Sequence, residues 1–274
     1  MNHMTDRELR QLALQMRKRV LEIGYGCGIS GVHFGGTLSL IEIMIALYKN
    51  ILPQDCEDKG ESKVIMSKGH GILAQYLLME NTGVMDRELV DAFKQDFAIC
   101  AAHPSRDLVH NIEFSSGSLG QGLSLGLGIV LARKRSSDLG RVYVILGDGE
   151  CDEGSVWEAA AAAAHYHACN LVAIVDKNDI QYDGLTSDVL DMGDLSEKFR
   201  AFGWETLIID GHDIGAVTEA LQVRCRQPLA IIAHTVKGKG ISFMEGKPEW
   251  HHKALTETLF KEAMQELQEA EVTI

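Results

Sequence analysis

Val142-Tyr143-Val144-Ile145-Leu146-Gly147-Asp148-Gly149 runs five apolar residues straight into an aspartate held between two glycines. A short apolar run rich in β-branched residues and bounded by glycine reads as a strand buried on both faces. Working outward, residues 155–168 form an alanine-rich helix with Ser155 and Glu158 at capping-box spacing, and residues 171–175 form a second strand. Strand, helix, strand in this order predicts a right-handed parallel crossover. Residues 206–209, a helical stretch near 216–223 and residues 229–233 continue the alternation, and 256–271 closes it as an amphipathic helix. Upstream, Thr5 with Glu8 and Ser39 with Glu42 repeat the capping-box spacing ahead of apolar residues such as Leu9, Leu12, Met16 and Val20, so two helices open the chain. Glycines 117, 120, 122, 126 and 128 mark a loop that enters a closely packed helix, and the run 159–164 is an alanine face allowing close backbone approach. There is no internal repeat and no linker. Residues 1–274 therefore read as one α/β domain, a doubly wound, mainly parallel sheet with helices on both faces.

Composition narrows the function classes. The 26 Lys+Arg against 39 Asp+Glu give a formal net charge of −13. That argues against nucleic acid and membrane surfaces as partners. The most apolar stretch, 38–48, is too short to span a bilayer and contains Glu42. Cys27, Cys56, Cys100, Cys151, Cys169 and Cys225 include no CxxC pair, which speaks against structural zinc. The start, Met1-Asn2-His3-Met4-Thr5-Asp6, has no signal-peptide pattern, so the expectation is a cytoplasmic protein with reduced core cysteines.

The chemistry centres on Gly147-Asp148-Gly149. It stands at the carboxyl end of one strand, where open parallel sheets bind ligands, and Asn178 stands beyond the carboxyl end of the next, 30 residues on. A crossover of that length lets a carboxylate and an amide oxygen converge. Few hard oxygen donors, with positions left for water and phosphate, suit Mg²⁺ holding a diphosphate. The flanking glycines let phosphate oxygens approach backbone amides. An isolated GDG would read as a turn whose aspartate caps the next helix; Asn178 at this spacing favours the metal reading. A Rossmann site is the competing glycine-rich explanation, but neither Gly117-Ser118-Leu119-Gly120-Gln121-Gly122 nor Gly24-Tyr25-Gly26-Cys27-Gly28 has the full spacing and ribose acid.

At these residues the chain resembles the thiamine-diphosphate enzymes, whose metal motif is GDG followed by an asparagine one crossover later. Four histidines, in order, narrow the resemblance to the transketolase family: His33 in Gly31-Val32-His33-Phe34-Gly35-Gly36, His70 in Ser67-Lys68-Gly69-His70-Gly71, His103 before Pro104, and His251 in Trp250-His251-His252. The resemblance covers nearly the whole chain, but only the amino-terminal, diphosphate-binding part of a transketolase. It implies thiamine diphosphate and Mg²⁺ as cofactors, with Ca²⁺ or Mn²⁺ able to replace the metal. It implies metal ligands from Asp148, Asn178 and the Ile180 carbonyl, and cofactor contacts from Gly117, Ser118, Leu119, Gly147, Gly149 and Glu153. Ser118 replaces the proline of the family's GPLGQG loop, and Lys177 replaces the first of two adjacent asparagines. Glu153 matches an acidic position that couples cofactor sites across a subunit interface. His33, His70, His103 and His251 are implied as catalytic, because histidine donates hydrogen bonds and exchanges protons near neutral pH. The other histidines, among them His110, His165, His167, His212 and His234, carry no expected role, and Arg133, Lys134 and Arg135 read as a solvated helix end. Lys237-Gly238-Lys239-Gly240 stays open between an exposed basic turn and a loop near the diphosphate.

The implied activity is transfer of a two-carbon ketol unit from a ketose, in phosphorylated form, to an aldose, with thiamine as the electron sink. The family's pyrimidine domain has no counterpart here. The expectation is an amino-terminal subunit of a split transketolase, two copies of it pairing with two copies of a carboxy-terminal subunit. Alternatives are an α subunit of a 2-oxo acid dehydrogenase, a deoxyxylulose-phosphate synthase type, or a non-catalytic regulatory subunit that kept the fold.

Overall fold

The computed structural model describes residues 4–54, 60–136, 138 and 140–272. Met1-Asn2-His3 and Cys56 lie outside them. Strands β1 (Lys63–Met66), β2 (Val142–Gly147) and β3 (Leu171–Lys177) are followed by a two-stranded antiparallel hairpin, β4 (Ile180–Gln181) and β5 (Gly184–Leu185), and then by β6 (Glu205–Asp210) and β7 (Leu229–His234). The main sheet has the order β1-β2-β3-β7-β6 with every pairing parallel. The chain builds outward from β1 to β3, moves to the far edge for β6 and returns to β7. That reversal opens a crevice at the carboxyl ends of the central strands.

Side-chain alternation explains why both faces are covered. Tyr143 and Ile145, Val172 and Ile174, and Leu229 and Ile231 face a core built with Asp6–Gly26, Ile41–Ile45, Ile72–Asn81 and Ile214–Gln222. Val144, Ala173, Val175, Ala230 and Ile232 face a second core built with Gly122–Arg135, Gly154–His165 and Leu195–Ala201. Val142 to Leu146 are all fully buried. At about 1.5–3 kcal/mol for each large apolar side chain, burial of β2 and β3 fixes where the polar residues after them emerge. The doubly wound architecture is as the sequence predicts.

Local readings fare unevenly. The Thr5/Glu8 box forms: the Glu8 amide donates to Thr5 Oγ1 at 3.3 Å and the Thr5 amide to Glu8 Oε2 at 2.7 Å. The other two do not. Ser39 does not N-cap the helix Ile41–Ile45, which starts after Leu40; its hydroxyl donates to Asp176 Oδ2 at 2.7 Å, and Glu42 pairs with Arg17 at 2.7 Å. Ser155 lies inside a helix that starts at Gly154 and ends at His165, and its hydroxyl donates to the Gly120 carbonyl at 3.0 Å. In both places a tertiary acceptor takes the serine. The closing helix is Glu257–Val272. Of the described cysteines, Cys100 and Cys151 are buried, Cys27 and Cys225 half-buried and Cys169 exposed, so the expectation of uniformly core cysteines is corrected. No helix among the described residues is long and apolar enough to cross a membrane.

Candidate active site at the carboxyl edge of the sheet

The site grows from the ends of four strands. After β2, the Asp148 carboxylate accepts the Gly149 amide at 2.8 Å and, across the crevice, the Asp179 amide at 2.5 Å. It therefore caps its own turn and also fastens the end of β3. Asn178 Oδ1 accepts the Ile180 amide at 3.2 Å, and the Ile180 carbonyl accepts Lys237 Nζ at 2.7 Å. Lys237 follows β7 and is buried, which decides between the two readings of its glycine-rich stretch in favour of the site. Burial, then the charge of Lys68, brings its ammonium down to about 8.

Three groups that the sequence left unremarked brace this edge. Asp176, fully buried at the end of β3, accepts from Lys68, Ser39 and Thr235. Burial alone would raise its carboxyl; the Lys68 ammonium overrides that and holds it below the usual range. Glu150 takes Ser67 Oγ, the Gly120 amide at 2.8 Å and the Gly147 amide at 3.1 Å, tying the 117–122 loop to the GDG turn. Gly120 has φ +80°, and a Cβ there would lie 2.7 Å from Glu153 Cβ, so that loop needs glycine at this point.

A cavity of ≈ 360 Å³ opens here, and Leu119, Gly147, Asp148, Gly149, Glu153, Asn178, Ile180, His70 and His251 line it with Lys68, Gln181 and Lys237. Gly117 and Ser118 are not on that wall; Gly117 lies beside the His103 ring. His33 stands at the centre of the imidazoles, its ring centroid 5.6 Å from His70, 5.3 Å from His103, 5.5 Å from His251 and 4.6 Å from His252. His252 joins the cluster without having been expected there. A pair of backbone hydrogen bonds joins Val32 and Lys253, at 3.0 and 3.1 Å, and sets His33 beside His252. Burial first, then the neighbouring imidazoles, takes His33 down to about 3; burial and the Lys237 charge take His251 down to about 3. His70 is pushed well below its ordinary value by burial and Lys68, and His103 is lowered by burial and Lys94. The rings are neutral at pH 7, each with one N–H and one lone pair.

These residues fit a cation with an anionic ligand. Asp148 is 7% exposed and joins no ion pair among the described residues; burial, then Asp176, raises its carboxyl to about 6. The Lys68 and Lys237 ammoniums offset this charge only from a distance; a buried carboxylate without a direct partner is costly, and a divalent ion would supply one. No cluster of three or more His, Cys, Asp or Glu suits a metal among the described residues. The donors are instead one carboxylate, one amide oxygen and the second lone pair of the Ile180 carbonyl, beside the one Lys237 uses, the hard set that Mg²⁺ shares with phosphate and water. Gln181 Oε1 and His251 Nδ1 are buried without a hydrogen-bond partner, two further polar atoms open to a ligand.

Comparison with known proteins agrees with this geometry. A match to the family "Transketolase, thiamine diphosphate binding domain" spans residues 14–270. The chain belongs to the transketolase family as its thiamine-diphosphate-binding part. It is 38% identical over 259 residues to an apulose-4-phosphate transketolase subunit from Phocaeicola vulgatus, covering 92% of this chain and 91% of that one. It is 36% identical over 267 residues to the 6-deoxy-6-sulfo-D-fructose transketolase subunit SqwG of a Clostridium species, covering 95% and 96%. Transketolase from Campylobacter jejuni superposes with a TM-score of 0.85 at 26% identity, over 97% of this chain and 43% of that one. The chain thus spans under half the length of that solved enzyme and nearly all of the subunit relatives. The dehydrogenase, synthase and regulatory alternatives are not favoured.

The depressed histidines carry a pH consequence. A ring with a folded pKa near 3 and an ordinary unfolded pKa near 6.5 binds fewer protons folded than unfolded between those values. Its contribution is present above about 6.5 and lost as pH falls toward 3. We expect His33→Gln, which cannot titrate, to lose less melting temperature than the natural chain between pH 7 and pH 5; equal losses would contradict the neutral-ring assignment.

Proposed function

We propose that the chain is the amino-terminal subunit of a two-chain, cytoplasmic transketolase, moving a two-carbon ketol unit from a phosphorylated ketose to an aldose. The observation that supports this most is the convergence of the unpaired Asp148 carboxylate with Asn178, Ile180 and a neutral imidazole cluster on one crevice. In this reading Asp148, Asn178 and the Ile180 carbonyl hold Mg²⁺ on the diphosphate of thiamine diphosphate. Gly147, Gly149 and Leu119 would approach its phosphates, and Gly117 and Ser118, on the His103 side of the same loop, would flank the rest of it. The cofactor, when bound, supplies the electron sink for breaking and making the carbon–carbon bond.

The chain's own residues bind, orient and exchange protons. Neutral His33, His103 and His251 each accept a proton from a sugar hydroxyl at the ring lone pair or donate one from N–H, and near-neutral chemistry needs both. His70, deep in the cavity and nearest Lys68, orients the reacting groups while its neighbours exclude water. Glu153 is exposed at the rim, where it can meet its symmetry mate.

A second chain carrying the pyrimidine domain, two copies of each, completes the pocket. The test is to mix the purified chain, thiamine diphosphate, Mg²⁺ and the candidate partner, and to follow assembly mass and ketol transfer. We expect no transfer by this chain alone and full transfer on mixing. Turnover by the isolated chain would contradict the two-chain reading.

A further inference from the structure

Lys237 reaches the site from a segment, 236–240, that has no regular structure, yet side chains from three separate parts of the chain hold that segment. Arg17 and Glu42 are 4% and 6% exposed, on two different helices. Arg17 Nη2 pairs with Glu42 Oε1 at 2.7 Å, and Arg17 Nε donates to the Lys239 carbonyl at 2.9 Å. The other Glu42 oxygen accepts His212 Nδ1 at 2.9 Å, which fixes the tautomer and turns the Nε2 lone pair onto the Val236 amide at 2.8 Å. The backbone runs so close to Arg17 that a Cβ on Gly240 would lie 2.7 Å from Arg17 Cδ.

We propose that Arg17, Glu42 and His212 are positioning residues for the cofactor site, acting through the 236–240 backbone to hold the Lys237 ammonium on the Ile180 carbonyl. This rests on the reading of that crevice as the thiamine-diphosphate site. A buried arginine–glutamate pair needs no histidine to be neutralised. His212 spends its acceptor on the amide of Val236, the residue directly before Lys237, and a lysine stem with four rotatable bonds keeps a fixed ammonium only if its backbone is fixed. A hollow of ≈ 460 Å³, lined by Arg10, Arg17, Glu42, His212 and Asp213, lies behind the clamp and gives room for a substituted side chain.

Two substitutions separate the bonds. Gln at 212 carries an amide oxygen to about the place of Nε2 and can still accept from Val236. Asn reaches only the place of Nδ1, so His212→Asn keeps the donor to Glu42 and leaves the Val236 amide without its acceptor. Hydrogen exchange of the 235–240 amides, read without cofactor, should speed up in His212→Asn and stay near that of the natural chain in His212→Gln. Calorimetric affinity for thiamine diphosphate with Mg²⁺ should fall roughly tenfold in Asn, the lower range for removing an outer partner of a metal site, and largely recover in Gln. In a Lys237→Met background, His212→Asn should cost no further affinity. Equal effects of Asn and Gln, an undiminished loss in the Lys237→Met background, or unchanged amide exchange in Asn would each overturn the proposal. If the natural chain itself fails to bind thiamine diphosphate, the functional reading fails instead, and the exchange comparison still decides the clamp.

Discussion

Asp148→Ala removes metal-dependent binding of thiamine diphosphate and leaves the fold standing. Asp148 is the carboxylate of the expected donor set, and Asn178 and the Ile180 carbonyl bring no charge to offset a divalent ion. Without it, the diphosphate meets a crevice whose buried carboxylates are committed elsewhere, Glu150 to Ser67 and the Gly120 and Gly147 amides, and Asp176 behind it to Lys68, Ser39 and Thr235. Substituting a mere outer partner of a metal site costs about 10–100-fold in affinity, and a direct charged ligand should exceed the upper end of that range. The fold survives because β2 and β3 are secured by apolar burial. Asp148 also holds two backbone amides, so a modest fall in melting temperature is expected alongside. Calorimetric titration with and without Mg²⁺ checks the result; unchanged affinity would remove the metal assignment. Asp148→Asn separates charge from hydrogen bonding, since it keeps an acceptor for one amide.

The second large effect is on turnover. His33→Ala and His103→Ala, assayed with the partner chain, should lower ketol transfer by ~10²–10⁴ while leaving cofactor affinity nearly intact. Neither ring lines the cavity around Asp148, whereas His70 and His251 do. His70→Ala should therefore show both losses, weaker cofactor binding and slower transfer. Steady-state rates and calorimetric affinities on the same preparations separate the two patterns. Full activity in the His33 and His103 variants would sink the proton-exchange role.

Much of this was legible in the sequence, for physical reasons that differ between levels. The strands 142–146, 171–175 and 229–233 announce themselves because burial on both faces demands uninterrupted apolar runs. β1 does not: four residues carry too little pattern, and the helix Ile72–Asn81 behind it is buried on nearly every side, so it shows no polar face to betray its period. Two of three serine–glutamate and threonine–glutamate boxes misled because a hydroxyl takes whatever acceptor the tertiary fold offers, Asp176 for Ser39 and the Gly120 carbonyl for Ser155. In the site, Asp148, Asn178 and the histidines could be found through their glycine, proline and tryptophan neighbours and the family resemblance. Lys68, Glu150 and Asp176 could not, because a buried charge paired with a residue more than 80 positions away leaves no local trace. Lys237 sat between two readings because glycine-flanked lysine looks alike whether its ammonium meets water or a carbonyl.

The Val32–Lys253 bridge makes the imidazole cluster a property of chain closure. Gly31 has φ +55°, and a Cβ there would sit 2.4 Å from the Lys253 carbonyl, so the two segments press together without a side chain between them. Residues far apart in the sequence thus share one contact, and such non-local pairings form late because loop closure must precede their reward. During synthesis, Asp148, Asn178 and Ile180 emerge with β2, β3 and the hairpin, but β7, Lys237 and His251, which complete that crevice, follow later. The ring of histidines cannot assemble until the stretch around residue 253 has left the ribosome. A nascent chain would therefore close the crevice and the imidazole cluster over the same late stretch, 229–253, whatever the early strands have already set in place.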